Sequence, residues 1–170
     1  MKVCFIGHRK VEDKENLLLL LNDTVVSLLK KGVTTFLFGS KSEFDDLCWQ
    51  VVTKLKKEFP YIKRIYVRSA FQVIDKDYED YLLKSYEQTY FPPKIEKAGK
   101  FSYVERNYEM IDNSTYCVFY YNENYSPQPV KNLKKNKILS VKRNSGTKIA
   151  YEYAMKRKKQ IINLYKSKLS

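Results

Sequence analysis

Three short segments of the sequence combine a glycine with hydroxyl or basic side chains, a combination suited to phosphate binding. They are Gly7-His8-Arg9, Gly39-Ser40-Lys41-Ser42 and Asn144-Ser145-Gly146-Thr147. Glycine lets a backbone N–H approach a phosphate closely, and a helix N-terminus adds about half a positive charge. Each segment alone is more typical of a turn with a helix N-cap. Because all three precede predicted helices, together they predict one loop site for a phosphorylated, nucleotide-like ligand.

Two arginines and an asparagine could complete such a site. The planar guanidinium groups of Arg9 and Arg106 are suited to phosphate oxygens, and Asn107 could recognise a base or ribose edge. Arg106 is equally compatible with a structural ion pair to Glu105 or Glu109. The sequence leaves these two roles of Arg106 open.

Several common cofactor and metal chemistries are disfavoured. The chain lacks both Gly-x-Gly-x-x-Gly and Gly-x-x-x-x-Gly-Lys-Ser/Thr, which argues against ordinary NAD or Mg-ATP chemistry. Cys4, Cys48 and Cys117 lie far apart in apolar segments, so neither a disulfide framework nor a zinc site is expected. A catalytic cysteine would need an activating partner, and His8 is the single histidine. We therefore predict buried thiols, no cofactor, no metal site and no catalytic residue.

The positive charge is concentrated near the end of the chain. The net charge is +13, and residues 126–170 contain thirteen of the 32 Lys and Arg residues but a single acid, Glu152. Such a segment attracts phosphates of a nucleotide, a nucleic acid or a membrane, or is simply a solvated basic face. The longest apolar run, residues 17–21, is too short to span a bilayer, and the start of the chain lacks a secretory signal. We expect a cytoplasmic protein without membrane contact.

Hydrophobic periodicity predicts alternating strands and helices. Predicted strands cover residues 3–6, 34–38, 62–67, 116–121 and 161–164, and predicted helices cover 13–31, a segment from 42 that stops before Pro60, 106–111 and a segment that starts at 145. Asp45, at the start of the second helix, could either interact with the helix dipole or bind a ribose, and the sequence favours neither role. Residues 69–101 are expected to form a helix followed by an irregular loop.

This order predicts an α/β fold. Parallel strands need crossover connections, so we expect a Rossmann-like parallel sheet with helices on both faces, in a single domain of residues 1–170. Residues 122–145 have little periodicity and are expected to form a basic, mobile loop that could close over a ligand. Ligands of such sheets bind beyond the carboxyl ends of the strands, where the three glycine segments would lie.

Four segments, taken in order, resemble the successive motifs of YpsA-like proteins in the SLOG superfamily, which also contains DprA and the Lonely Guy phosphoribohydrolases. They are Gly7-His8-Arg9, Gly39-Ser40-x-x-x-Phe44-Asp45, Arg106-Asn107-x-x-Met110-Ile111-Asp112 and Ser145-Gly146-Thr147-Lys148. The resemblance runs from residue 3 to about residue 164. It implies a Rossmann-like domain that binds nucleotides or nucleotide-derived ligands as a sensor or processing module, with Glu43, where such proteins often have glycine, beside the ligand.

Three functions are compatible with these features. The leading one is a binding module or sensor for a nucleotide or nucleotide-derived ligand. The second is a nucleoside-monophosphate phosphoribohydrolase, with Arg106 on the phosphate and Glu43 or Glu152 as the carboxylate. Lonely Guy enzymes carry glutamates directly after the Gly-Thr motif, whereas Lys148 follows here, so the resemblance favours binding without turnover.

The third function is a DprA-like binder of single-stranded nucleic acid. Residues 131–143 would follow the phosphates, and Tyr120, Tyr121 and Tyr125 would stack on bases. Aromatic residues at a strand end are more often used in core packing. The sequence is also compatible with a homo-oligomer.

Overall fold

The computed structural model describes residues 1–125 and 145–165. Six strands and five α-helices follow one another along these two stretches. The strands are β1 (Lys2–Gly7), β2 (Thr35–Phe38), β3 (Lys63–Val67), β4 (Gln88–Tyr90), β5 (Tyr116–Tyr120) and β6 (Gln160–Asn163). The helices are α1 (Lys14–Lys30), α2 (Glu43–Lys56), α3 (Lys76–Leu83), α4 (Ser102–Asp112) and α5 (Gly146–Lys156). Two short 3-10 turns precede α4.

All six strands form one parallel sheet in the order β4-β3-β2-β1-β5-β6. From β1 the chain builds outward to β4 on one side and then returns to place β5 and β6 on the other. The order therefore reverses between β1 and β5. Helices α1 and α2 pack together on one face, and α4 and α5 pack together on the other. The predicted Rossmann-like sheet with helices on both faces is confirmed.

The core consists of two apolar layers separated by the sheet. Successive residues of a strand point to opposite faces, so Phe5 of β1 joins the layer under α1 and α2 while Cys4 and Ile6 join the layer under α4 and α5. All three are 0–4% exposed. Burial on both faces explains why β1 is an uninterrupted apolar run without polar alternation.

The helix boundaries follow capping residues. Asp13 and Ser42 accept hydrogen bonds from the third backbone N–H beyond them and begin α1 and α2. After α1 the chain turns at Gly32, whose φ of 85° lies in the left-handed region that glycine tolerates. The predicted end of the first helix near this glycine is confirmed.

The sequence prediction missed one strand. Residues 69–101, expected to contain a helix and an irregular loop, also form β4, which pairs with β3 through Ile65 and Gln88. The strand has three residues, Gln-Thr-Tyr, at the edge of the sheet and none of them is buried. A strand this short and polar shows no alternation of apolar and polar residues in the sequence. It forms because it pairs with β3. The sheet therefore has six strands rather than five.

Other expectations concern thiols, metals and membranes. The three cysteines are free and buried, as predicted. Within residues 1–125 and 145–165 no group of acidic, histidine and cysteine side chains is placed to hold a metal ion. In the same part of the chain, no helix is both long and apolar enough to cross a membrane. The predicted basic loop falls largely on residues 126–144, and with it the nucleic-acid segment 131–143, which lie outside the described residues.

Candidate functional site

The three glycine segments lie at one edge of the sheet. Because every strand is parallel, the segment after β1, the segment after β2 and the start of α5 after β5 all belong to the carboxyl edge. The strand order reverses between β1 and β5 at this edge, which is where open α/β sheets bind ligands. The sheet order and these loops define a Rossmann-like α/β protein with its candidate site at the carboxyl edge.

The first segment packs against the start of α2. A Cβ added to Gly7 would overlap the Phe44 ring, so glycine is required here for packing. The backbone oxygen of Arg9 accepts a hydrogen bond from the N–H of Glu43 at 3.0 Å. The first two glycine segments are thus held side by side.

Glu43 holds this loop with both carboxylate oxygens. Oε1 is 2.8 Å from Nζ of Lys10 and 3.4 Å from Nζ of Lys14, and Oε2 accepts the Val11 N–H at 3.1 Å. The hydrogen bonds from Lys10 and Val11 lower the pKa of Glu43 to about 2. Its partners here belong to the protein, and contact with a ligand stays a prediction.

The second segment encloses a carboxylate of its own. The N–H of Ser40 donates to Oδ2 of Asp45 at 2.5 Å, and the N–H of Asp45 donates to Oγ of Ser42 at 3.0 Å. Burial raises the pKa of Asp45 to about 7, against the opposing effects of Arg106 and the Ser40 hydrogen bonds. The first turn of α2 also contains two further acids. A carboxylate thus occupies the turn where the sequence predicted phosphate.

Arg106 crosses from α4 to the same turn. It is 5% exposed, and it donates from Nη1 to the carbonyl oxygen of Gly39 and from Nε to Oδ1 of Asn107 at 3.0 Å. A Cβ on Gly39 would lie 2.6 Å from Cδ of Arg106 and 2.7 Å from Sδ of Met110. Glycine is therefore needed at position 39 to admit the Arg106 side chain. The nearby acid that favours the charge of Arg106 is Asp45.

The alternative role of Arg106, an ion pair with Glu105 or Glu109, is not found among the described residues. Glu109 instead accepts from the Asn113 amide and lies 3.9 Å from Nζ of Lys94. Arg106 uses its guanidinium within the cluster formed with Gly39 and Asn107. The sequence analysis names these residues as site candidates, but the contacts that join them span up to 67 positions, so local sequence patterns do not predict them.

His8 links the ends of β1 and β5. Its Nε2 is 2.9 Å from the backbone nitrogen of Asn122, and its ring stacks on Tyr125 with the centroids 3.9 Å apart. Burial lowers the pKa of His8 to about 4, so the imidazole is neutral at physiological pH. Nδ1 has no hydrogen-bond partner among the described residues. His8 therefore orders the β1–β5 crevice as a neutral side chain.

The start of α5 lies at the same carboxyl edge of the sheet. Oγ of Ser145 accepts the Lys148 N–H at 3.1 Å, and Thr147 is buried. A Cβ on Gly146 would approach the Tyr103 ring at 3.2 Å, a tight contact that a small ring movement relieves. The first turn of α5 contains no acidic residue, in contrast to that of α2.

A pocket of about 240 Å³ opens beside the second segment, between α2, the end of β3 and α3. Its wall is aromatic and polar, formed by Ser40, Lys41, Asp45, Asp46, Trp49, Tyr66, Tyr78, Tyr81, Leu82, Ser85 and Tyr86. For residues 69–101 the sequence predicts a helix and an irregular loop, and no site. Tyr78 and Tyr81 lie on α3 and Tyr86 follows it, while the rest of the wall comes from α2, β3 and the loop after β2.

No protein-family model matches this chain, and no curated protein is similar enough to it to count as a relative.

Proposed function

We propose that this protein binds a nucleotide or nucleotide-derived phosphorylated ligand at the carboxyl edge of its sheet, as a cytoplasmic sensor or processing module of the YpsA-like type in the SLOG superfamily. The observation that carries the proposal is the contrast between two helix N-termini at this edge. Both have a serine N-cap, but their charges differ.

The N-terminus of α2 is already neutralised. Its first turn contains Glu43, Asp45 and Asp46, and the N–H of Ser40 before it is bonded to a carboxylate. A phosphate there would face three carboxyl groups. Anions are stabilised at a helix N-terminus by its unpaired N–H groups and its dipole. At α2 the protein's own carboxyl groups already occupy this position.

The N-terminus of α5 retains this capacity. The Ser145-Gly146-Thr147 turn precedes a helix without acids in its first turn, and Lys148 adds a positive charge. It follows β5, next to the crevice where the strand order reverses. The phosphate of the proposed ligand therefore binds at α5, while Gly39, Asp45 and Arg106 form the wall opposite.

Two substitutions at Ser145 test this placement. Ser145→Asp retains an N-cap oxygen but places a negative charge where phosphate would bind, whereas Ser145→Ala loses the cap, at a cost of about 1 kcal/mol in stability, without adding charge. We expect Ser145→Asp to raise the dissociation constant for AMP or a nucleoside diphosphate at least tenfold, as measured by calorimetry. Ser145→Ala should raise it less. Equal affinity of Ser145→Asp and the parent protein would exclude phosphate from this turn.

The phosphoribohydrolase alternative needs a carboxylate at the sugar. Glu43 is held by Lys10 and the loop after β1, and Glu152 is exposed and lies 3.8 Å from Lys148. Neither is held near the Arg106 cluster by a hydrogen bond in the described structure. Binding without turnover is the function that these contacts favour.

A further inference from the structure

The aromatic pocket beside Ser40 is separate from the α5 turn and has an unusual wall. Tyr66 and Tyr86 lie with their ring centroids 5.2 Å apart, and Tyr78 and Tyr81 are stacked at an interplanar angle of 14°. Trp49 closes one side and is fixed by a hydrogen bond from Nε1 to the carbonyl oxygen of Ser85 at 3.1 Å. At about 240 Å³ the pocket is smaller than the usual range for drug-sized ligands, which suits a single ring system.

One buried carboxylate oxygen in this wall lacks a hydrogen-bond partner among the described residues. Asp45 is 3% exposed, and while its Oδ2 accepts the Ser40 N–H, its Oδ1 has no hydrogen-bond partner among the described residues. An unpaired buried acceptor is unfavourable, because it has lost its hydrogen bonds to water. A ligand that donates one N–H to Oδ1 would remove this cost.

The tyrosine hydroxyls offer further polar contacts. Within the described residues, none of the hydroxyls of Tyr66, Tyr78, Tyr81 and Tyr86 takes part in a hydrogen bond. A hydroxyl both donates and accepts, so these groups can contact ring nitrogens. Stacking surfaces, one buried acceptor and several hydroxyls together suit a flat, nitrogen-rich ring.

Organic cations are a second class of ligand for this pocket, because aromatic walls with carboxylates also bind them. Two positive groups oppose a cation here, and the buried Asp45 and the exposed Asp46 are the acids in the wall. Lys41 lines the pocket, and Arg106 lies beside Asp45 and favours its ionised form. The Arg64 guanidinium, 5.7 Å from the Trp49 ring centroid, is paired with Glu87. A neutral ring with N–H donors meets no such repulsion.

We propose that this pocket binds the base of the ligand, as an aminopurine whose exocyclic amino group donates to Oδ1 of Asp45 and whose ring stacks on the tyrosines. The inference rests on the proposed function in assigning base and phosphate to one molecule. The pocket is lined by Ser40, which follows β2, and by Tyr66 of β3, so it lies two to three strand spacings, about 10–14 Å, from the end of β5.

Nucleosides test the pocket without involving the phosphate. Adenosine, purine riboside, which lacks the amino group, and choline are titrated into the parent protein by calorimetry. We expect adenosine to bind at least fivefold more tightly than purine riboside, and choline not to bind. Choline binding without adenosine binding would overturn the proposal in favour of a cation site. Nucleotide binding that Ser145→Asp weakens, with no preference for the amino group, would overturn the pocket assignment and leave the proposed function standing.

Two variants identify the contacts. Tyr81, 65% exposed, can be changed to alanine with little loss of packing, and stacking is worth about 1–3 kcal/mol per base, so Tyr81→Ala should weaken adenosine binding at least fivefold. Tyr61→Ala removes a similarly exposed tyrosine outside the pocket and should have no effect. Asp45→Asn, where it folds, should abolish the preference for adenosine over purine riboside. Unchanged adenosine affinity in Tyr81→Ala would contradict the proposal.

Discussion

Two buried titratable residues at the carboxyl edge have pKa values displaced in opposite directions. Burial raises the pKa of the Asp45 carboxyl to about 7 and lowers the pKa of the His8 imidazole to about 4. In both cases the fold favours the neutral form, which is the general effect of removing a charge from water. The folded protein therefore holds an extra proton on Asp45 and one fewer on His8 over much of the range between pH 4 and 7.

The Asp45 shift predicts a loss of stability as pH rises. Its folded pKa lies above the ordinary value of 3.8, so its contribution is fully present below about pH 4 and is lost as pH rises through 7. His8 has the opposite effect, since its pKa is lowered from 6.5, and its contribution is lost as pH falls from 6.5 toward 4. At about 1.4 kcal/mol per pKa unit, the Asp45 effect is at most about 4 kcal/mol.

Asp45→Asn should remove the Asp45 effect and leave that of His8. We expect the free energy of unfolding of this variant, measured in urea, to improve relative to the parent protein between pH 5 and pH 8. Asp46→Asn changes an exposed carboxylate on the same helical turn, so it is the matched control, and its pH profile should follow that of the parent protein. Parallel pH profiles for Asp45→Asn and the parent would show that Asp45 is ionised throughout this range.

Substitution of the two glycines at the carboxyl edge, Gly39 and Gly146, should lower the stability of the protein by different amounts. A Cβ at Gly39 would lie 2.6 Å from Arg106 Cδ in a buried cluster, whereas a Cβ at Gly146 would meet only the Tyr103 ring edge at 3.2 Å. Overpacking typically costs about 1–3 kcal/mol. We expect Gly39→Ala to lower the free energy of unfolding by that amount without any ligand, and Gly146→Ala to change it by less than about 1 kcal/mol. Equal, small effects would mean that Arg106 relocates without cost.

At the scale of elements, long periodic segments could be predicted from sequence and short ones could not. Strands β1 and β5 are buried on both faces of the sheet, so each is a continuous apolar run in the sequence. Helix α2 is buried along one side, so its apolar residues recur every three or four positions. Strand β4 has no such pattern and depends on β3. An edge strand of three polar residues is defined by its neighbour.

The candidate site shows the same division. Gly39, Asp45 and Arg106 could be identified as chemically notable from their types and from the resemblance of their motifs. Their contacts could not, because Arg106 reaches Gly39 across 67 positions and takes the space that a ligand was expected to occupy. The Tyr78 and Tyr81 pocket was missed because its walls come from α2, β3 and α3 together.

At the scale of the whole molecule, the charge is divided between two regions. Residues 126–170 carry thirteen basic residues and one acid, so the remaining 125 residues are close to neutral. A basic segment raises the affinity for any polyanion through the release of counterions, with little dependence on sequence. The proposed nucleotide site at α5 and a general attraction for nucleic acid can therefore be tested separately.

Salt dependence separates these two properties. Changing Lys134, Lys135 and Lys137 to serine removes three charges from the basic segment. Each phosphate contact contributes about 0.7 to the slope of log affinity against log salt for single-stranded DNA, so this slope should become shallower by about 2. Because nucleotide binding is assigned to Ser145 and Asp45, AMP affinity should remain within about twofold. Ser145→Asp should have the converse effect, weakening AMP binding while leaving the slope for DNA nearly unchanged.

The control for net charge is the triple change of Lys94, Lys97 and Lys100 to serine, three exposed lysines near the start of α4. It removes the same charge from a region outside residues 126–170. If this control flattens the DNA slope as much as the change at positions 134, 135 and 137, the attraction is a property of net charge alone. If the change at positions 134, 135 and 137 instead abolishes AMP binding, the basic segment belongs to the nucleotide site, and the assignment of phosphate to the α5 turn alone is wrong.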